Sequence, residues 1–180
     1  MKTTVRILGV FIILLILFAS AASIWRAERD KTELRESQAA IAEAQQSLAL
    51  LKEEAKNMTG ESKVQIESQI AEAESDIKKL PAESTFTIVQ VLFGASMLLS
   101  IVFGVFLFRP NLKSSKTLLV ASILLLLATY FISPDIDGGK YSGFSRRTLA
   151  LITGIPLIVV ALFAFWIAKK KNAESLRSGR

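Results

Sequence analysis

The chain has 180 residues, of which 51% are hydrophobic, and its 22 Lys and Arg against 16 Asp and Glu give a net charge of +6. It contains no Cys and no His, which excludes disulfides, thiolate nucleophiles, imidazole metal ligands and Ser–His triads. The charged residues are nearly absent from four long apolar blocks and crowd into the gaps between them. This distribution is typical of an integral membrane protein, so we expect an all-α fold with four transmembrane helices.

The first apolar block predicts a transmembrane helix over residues 5–25. A block of this length matches the ~20 residues that cross ~30 Å of hydrocarbon. A cleaved signal peptide is the alternative, because Lys2 and Arg6 precede the apolar run and Ala19-Ser20-Ala21 fits a cleavage site. Residues 1–21 are therefore either a retained anchor or a removed leader.

The largest polar segment covers residues 26–85 and holds nine Lys or Arg and thirteen Asp or Glu, a net charge of −4. On both sides of Gly60, its apolar residues recur at the spacing of a heptad repeat. The pattern predicts an antiparallel coiled-coil hairpin of two helices. The predicted seam consists of Leu34, Ile41, Leu48, Leu51, Ile66, Ile70, Ile77 and Leu80. Because polar residues and alanines dilute this seam, the hairpin is either a self-contained stalk or packs on another protein or on copies of itself.

Residues 86–108 and 112–132 predict the second and third transmembrane helices. The second carries Ser96, Ser100 and Gly104 at four-residue steps, a small-residue face that lets helices approach closely. We expect this helix-packing interface to lie either within the chain's own bundle or against another subunit. No Asp, Glu, Lys or Arg lies in the core of any predicted span, which argues against a stand-alone pump or carrier.

A short extracytoplasmic loop, residues 133–147, precedes the fourth predicted span, residues 148–168. The loop contains Asp-Ile-Asp-Gly, but the residues that follow are not acidic, so a turn is favoured over a calcium site. In the fourth span, Gly154 and Pro156 indicate a kink, which either serves packing or lines a cavity. We expect neither a metal nor a cofactor.

The distribution of Lys and Arg sets the predicted orientation, since these residues concentrate on the cytoplasmic side of a membrane. The amino terminus, the loop between spans two and three, and the tail together hold ten basic residues and one acidic residue, a charge of +9. We therefore expect both termini in the cytoplasm, the hairpin outside, and the bacterial inner membrane as the location. The tail, residues 169–180, is predicted to be mobile, with Lys169, Lys170 and Lys171 contacting anionic lipid headgroups rather than nucleic acid.

These features predict a non-catalytic accessory, scaffold or assembly subunit of a larger membrane protein complex. Its partners would be other membrane subunits or a second copy of the chain, held through the hairpin and the small-residue face. The alternative is a self-associating small pore or transport component, lined by the serine face of the second span and the kink at Pro156. An enzyme is not expected, since the predicted spans contain neither a Ser–His pair nor paired Asp residues.

Overall fold

The computed structural model describes residues 2–57, 59–134 and 145–178, and every regular element within these ranges is an α-helix. The elements are α1 (Lys2–Lys56), α2 (Glu61–Lys79), α3 (Glu83–Phe108), α4 (Leu112–Ile132) and α5 (Arg146–Ser178). Four helical segments, carried by α1, α3, α4 and α5, are long and apolar enough to cross a membrane. The predicted all-α class and four candidate spans are thereby confirmed. The turn predicted at residues 135–138 lies outside the described residues.

Contacts divide the chain into two compact units. The first, here called the bundle, combines Met1–Glu28 with Thr85–Arg180 and therefore contains the four apolar segments. The second, here called the hairpin unit, is Arg29–Ser84 and contains the polar remainder of α1 together with α2.

Helix α5 supplies the centre of the bundle. Its Ala161 and Ala164 are fully buried, and their small side chains let neighbouring helices approach. The buried cluster joins α1, α3 and α5 through Ile13, Ile16, Phe103, Leu107, Leu157, Val160, Ala161, Ala164 and Ile167. The outer faces are apolar as well, since Phe11 and Phe18 of α1 are 66% and 77% exposed. Large exposed apolar side chains on a spanning helix are suited to contact with lipid.

Arg6 and Gln90 join α1 to α3 by hydrogen bonds at opposite ends of the apolar segments. Arg6 Nε donates a hydrogen bond to the backbone oxygen of Leu107 at 2.9 Å. The guanidinium thereby satisfies a carbonyl at the carboxyl end of α3, where the helix dipole also favours a cation. At the other end, Gln90 Nε2 donates to Glu28 Oε2 at 2.7 Å. These polar side chains thus hold the two ends of the paired apolar segments, between which Ile13, Ile16, Phe103 and Leu107 form part of the apolar core.

Local sequence explains where several helices begin and end. Gly60 precedes α2 with a φ of 80°, a positive value that glycine adopts more readily than any residue with a side chain. Asn111 caps α4, since its side-chain oxygen accepts from Ser114 N at 3.2 Å. The tail, predicted to be mobile, instead continues α5 as a regular helix to Ser178. No Gly or Pro interrupts residues 157–178, so nothing in that stretch ends the helix.

Candidate interaction surfaces

The predicted small-residue face of α3 is buried inside the bundle. Ser96 and Ser100 are only 3% and 0% exposed. Each hydroxyl donates to a backbone carbonyl of its own helix, at 3.0 and 2.7 Å respectively. A Cβ built at Gly104 would lie 3.5 Å from Ile13 Cδ1, an ordinary van der Waals contact. The face is therefore occupied by the chain's own helices, which is the first of the two alternatives left open by the sequence.

A closer helix approach occurs at Gly9, which the sequence pattern did not single out. A Cβ built there would lie 2.6 Å from Leu107 Cδ1, and the side chain of Leu107 is itself completely buried. Gly9 is not part of a small-xxx-small pattern, because the residues four positions before and after it, Val5 and Ile13, are large. The need for glycine at this position becomes evident only from the structure, in which Leu107 of α3 lies against it.

The predicted kink lies at the contact between α4 and α5. Gly154 is buried, and a Cβ at this position would overlap the side chain of Leu126, whose Cβ and Cγ would both be 3.0 Å away. Pro156, two residues later, is half-buried inside α5. The neighbouring Thr153 Oγ1 donates to the backbone oxygen of Leu149 at 3.0 Å. These contacts favour a packing role for Gly154 and its neighbours over the lining of a cavity, while the kink itself stays a prediction.

The seam residues of the hairpin unit differ in exposure. Leu34, Ile41, Leu48, Ile66 and Ile77 are half-buried, and Ile70 is buried. The other two predicted seam residues, Leu51 and Leu80, are 40% and 44% exposed. Ala55, in the same seven-residue row as Leu48, is 5% exposed, so small side chains make the closest contacts between α1 and α2.

Ion pairs connect α1 to the chain that returns along it, residues 61–84, in the hairpin unit. Lys52 of α1 pairs with Glu74 of α2, while Arg35 pairs with Glu83, the first residue of α3, and Lys31 Nζ lies 3.8 Å from the same Glu83 carboxylate. As the residue number rises on one arm it falls on the other, so the arms run antiparallel. The hydrogen bond from Lys52 and its charge lower the pKa of Glu74, and the hydrogen bond from Arg35 lowers the pKa of Glu83.

Two large apolar side chains of the hairpin unit face away from the seam. Leu50 of α1 and Val64 of α2 are each 66% exposed. Leu50 stands two positions after Leu48, and Val64 two positions before Ile66, so both leave the heptad rows. The sequence shows that Leu50 and Val64 stand outside the heptad rows, but the many alanines of the seam make those rows hard to recognise. Both residues are candidates for contact with another molecule.

No group of three or more His, Cys, Asp or Glu side chains that could hold a metal ion occurs within residues 2–57, 59–134 and 145–178. No protein-family model, no curated protein and no solved structure matches the chain. The surfaces of the bundle and of the hairpin unit are therefore the features from which a function can be inferred.

Proposed function

We propose that the chain is a non-catalytic accessory, scaffold or assembly subunit of a larger membrane protein complex, and that the hairpin unit docks the partner. The observation that carries this proposal is the exposure of Leu50 and Val64, at 66% each, on a unit in which six of the eight predicted seam residues are half-buried or buried. Burying an aliphatic side chain of this kind contributes about 1.5–3 kcal/mol. A partner that covers both side chains would recover that free energy.

The charge of the hairpin segment indicates the chemistry of the partner. Residues 26–85 carry a net charge of −4, so the contacting surface of the partner is proposed to be basic around an apolar centre. The antiparallel ion pairs and the inward-facing seam row support a coiled coil as the structure of this segment. A membrane subunit of different sequence is the preferred partner, since a second copy would bring a second acidic surface.

The proposed topology places both termini in the cytoplasm of a bacterial inner membrane and the hairpin outside. The basic amino terminus, second loop and tail support this orientation. Retention of the first span is supported by Ile13 and Ile16, since both contribute to the core shared with α3 and α5. Cleavage after Ala21 would remove these core side chains from the bundle.

The alternative function, a self-associating pore or transport component, would require the serine face of α3 to line an aqueous path. The burial of Ser96 and Ser100, and the bonding of their hydroxyls to their own helix, favour packing instead. Flux of ions and small solutes into liposomes containing the purified chain separates the two functions. An accessory subunit produces no flux, whereas a pore component does.

The accessory function is tested by the native mass of the complex extracted from its own membrane in a mild detergent. We expect a heteromeric assembly for the wild-type chain and loss of the partner for the double variant Leu50→Gln and Val64→Gln. Ala40→Gln, at an exposed position of the same arm, is the matched control and should retain the partner. A lone chain, or the same mass for the wild type and the double variant, would overturn the proposal.

A further inference from the structure

An apolar groove lies between the beginning of α1 and the last third of the apolar segment of α5. Its volume is about 470 Å³, and its lining comprises Val5, Leu162, Phe163, Phe165, Trp166 and Lys169. This volume falls within the range of about 300–1,000 Å³ that is usual for ligand sites. All six lining residues belong to the bundle.

The wall of the groove is apolar, and one end of the groove is positively charged. The wall is formed by aliphatic and aromatic side chains, and the one charged group among the lining residues is the ammonium of Lys169. Lys170, the next residue, holds its Nζ 5.5 Å from the centroid of the Trp166 ring. The contact between a cation and an aromatic face keeps a second positive charge beside the same end of the groove.

Basic residues outnumber acidic ones at this end of the groove, where Glu174, one turn beyond Lys170, is the one acidic residue of α5. No Asp or Glu precedes Glu28, and none occurs between Gly138 and Ala173. Arg6, which follows Val5 in α1, already donates to the backbone oxygen of Leu107. Lys169, with Lys170 beside it, therefore favours an anion supplied by another molecule.

We propose that this groove binds one anionic phospholipid, with an acyl chain against the aromatic wall and the headgroup phosphate at Lys169. A peptide or a polar metabolite would need several hydrogen-bonding partners, whereas the lining supplies only the ammonium of Lys169 and the indole N–H of Trp166. An acyl chain needs no hydrogen-bonding partner, and the headgroup phosphate needs a cation at one end of the groove. Tryptophan and lysine at the end of a spanning helix also suit the depth of lipid headgroups. The inference is independent of the proposed docking function, because it concerns a different unit of the chain.

A specific site differs from a general attraction of basic residues to a membrane, because one lysine should contribute more to lipid binding than its neighbours do. The full chain is purified in a mild detergent, and binding of added phosphatidylglycerol or phosphatidylcholine is measured by native mass spectrometry. We expect one phosphatidylglycerol to bind in preference to phosphatidylcholine. Lys169→Gln should weaken this binding by about fivefold, the factor expected for one lysine near an anionic lipid. Lys171→Gln, in the same basic run but outside the lining, should leave it unchanged.

A second pair of variants tests the apolar wall. Leu162→Trp fills the groove at a position that is 47% exposed, so the bundle should tolerate it, and we expect lipid binding to be lost. Leu151→Trp places the same side chain at an exposed position of α5 outside the lining and should bind lipid normally. Equal effects of the two lysine variants or of the two tryptophan variants would overturn the proposal. So would equal binding of the two lipids, or displacement of the lipid by inorganic phosphate.

Discussion

Gly154 of α5 lies so close to Leu126 of α4 that a Cβ at the glycine would be only 3.0 Å from both Cβ and Cγ of the leucine. The contact is possible because glycine has no side chain, so the backbone of one helix rests directly on a side chain of the other. The closeness to Leu126 Cβ matters most, since that atom cannot move without its own backbone. The pair therefore fixes the distance between α4 and α5.

Gly154→Ala is expected to destabilise the bundle by about 1–3 kcal/mol, the usual cost of overpacking a close contact. The measurement is the free energy of unfolding of the purified chain in mixed detergent micelles. Gly94→Ala is the matched control, because a Cβ there meets no atom within 4 Å, and it should not destabilise. A restoration of stability when Leu126→Ala is added to Gly154→Ala would identify this contact as the cause. Equal stability of the two single variants would contradict the close packing.

The helix pair α1–α3 gives a second prediction, which concerns two glycines with different surroundings. Gly9→Ala should lower the free energy of unfolding, because Leu107 is fully buried and has little room to move away. Gly104→Ala should be tolerated, since its Cβ would only make an ordinary contact with Ile13. The same unfolding measurement compares the two variants. A larger loss at Gly104 than at Gly9 would contradict the observed arrangement of the two helices.

These two glycines also show how far the sequence could predict the packing. The positions of the four apolar segments follow from the length and composition of the apolar runs, and the face of Ser96 and Ser100 follows from its spacing. The spacing cannot tell whether such a face meets the chain's own helices or another subunit. The requirement for glycine at Gly9 depends on Leu107, a residue nearly one hundred positions away, and no local pattern contains that information.

The exposed surfaces were harder to predict than the buried ones. A seven-residue repeat identifies an inward row such as Leu34, Ile41 and Leu48 by its regularity. Leu50 is recognised only once the inward row is known, because its exposure depends on which face of α1 meets α2. The helical tail is a similar case, since a charged segment without Gly or Pro is compatible with either a helix or a mobile chain.

The ion pairs of the hairpin unit predict a dependence on pH. The pKa of Glu74 is lowered from its ordinary value of 4.5 because Lys52 donates a hydrogen bond and places a charge beside it. A carboxyl whose folded-state pKa is lowered contributes stability above its ordinary pKa and loses that contribution as the pH falls through the lowered value. We therefore expect the contact between α1 and α2 to be stable at neutral pH and to loosen below a pH of about 4.5.

Spin labels at Ala49→Cys and Ala71→Cys measure this change as the distance between the two arms. The natural chain has no Cys, so the labels attach only at the chosen positions. Glu74→Gln should show part of the loosening already at neutral pH, whereas Glu72→Gln, exposed on the same helix, should behave as the labelled parent. If Glu74→Gln gave the same distances as the parent at every pH, the pair would not stabilise the hairpin unit.

The absence of Cys also makes the proposed topology testable in intact cells. Ala40→Cys in the hairpin unit should react with a membrane-impermeant maleimide from outside, whereas Asn172→Cys in the tail should react only after the membrane is opened. This follows from the concentration of Lys and Arg at the termini and in the second loop. Labelling of Asn172→Cys in intact cells, without labelling of Ala40→Cys, would reverse the orientation.

The central proposal is that the hairpin unit is held by another membrane protein through Leu50 and Val64. Site-specific photocrosslinking in the native membrane tests it most directly, because no detergent step can remove the partner. A photoreactive residue at position 50 should yield one adduct of defined mass containing a protein other than this chain. The same residue at Gln38, also exposed on α1, should yield none. No adduct at position 50, or the same adducts at both positions, would contradict the account.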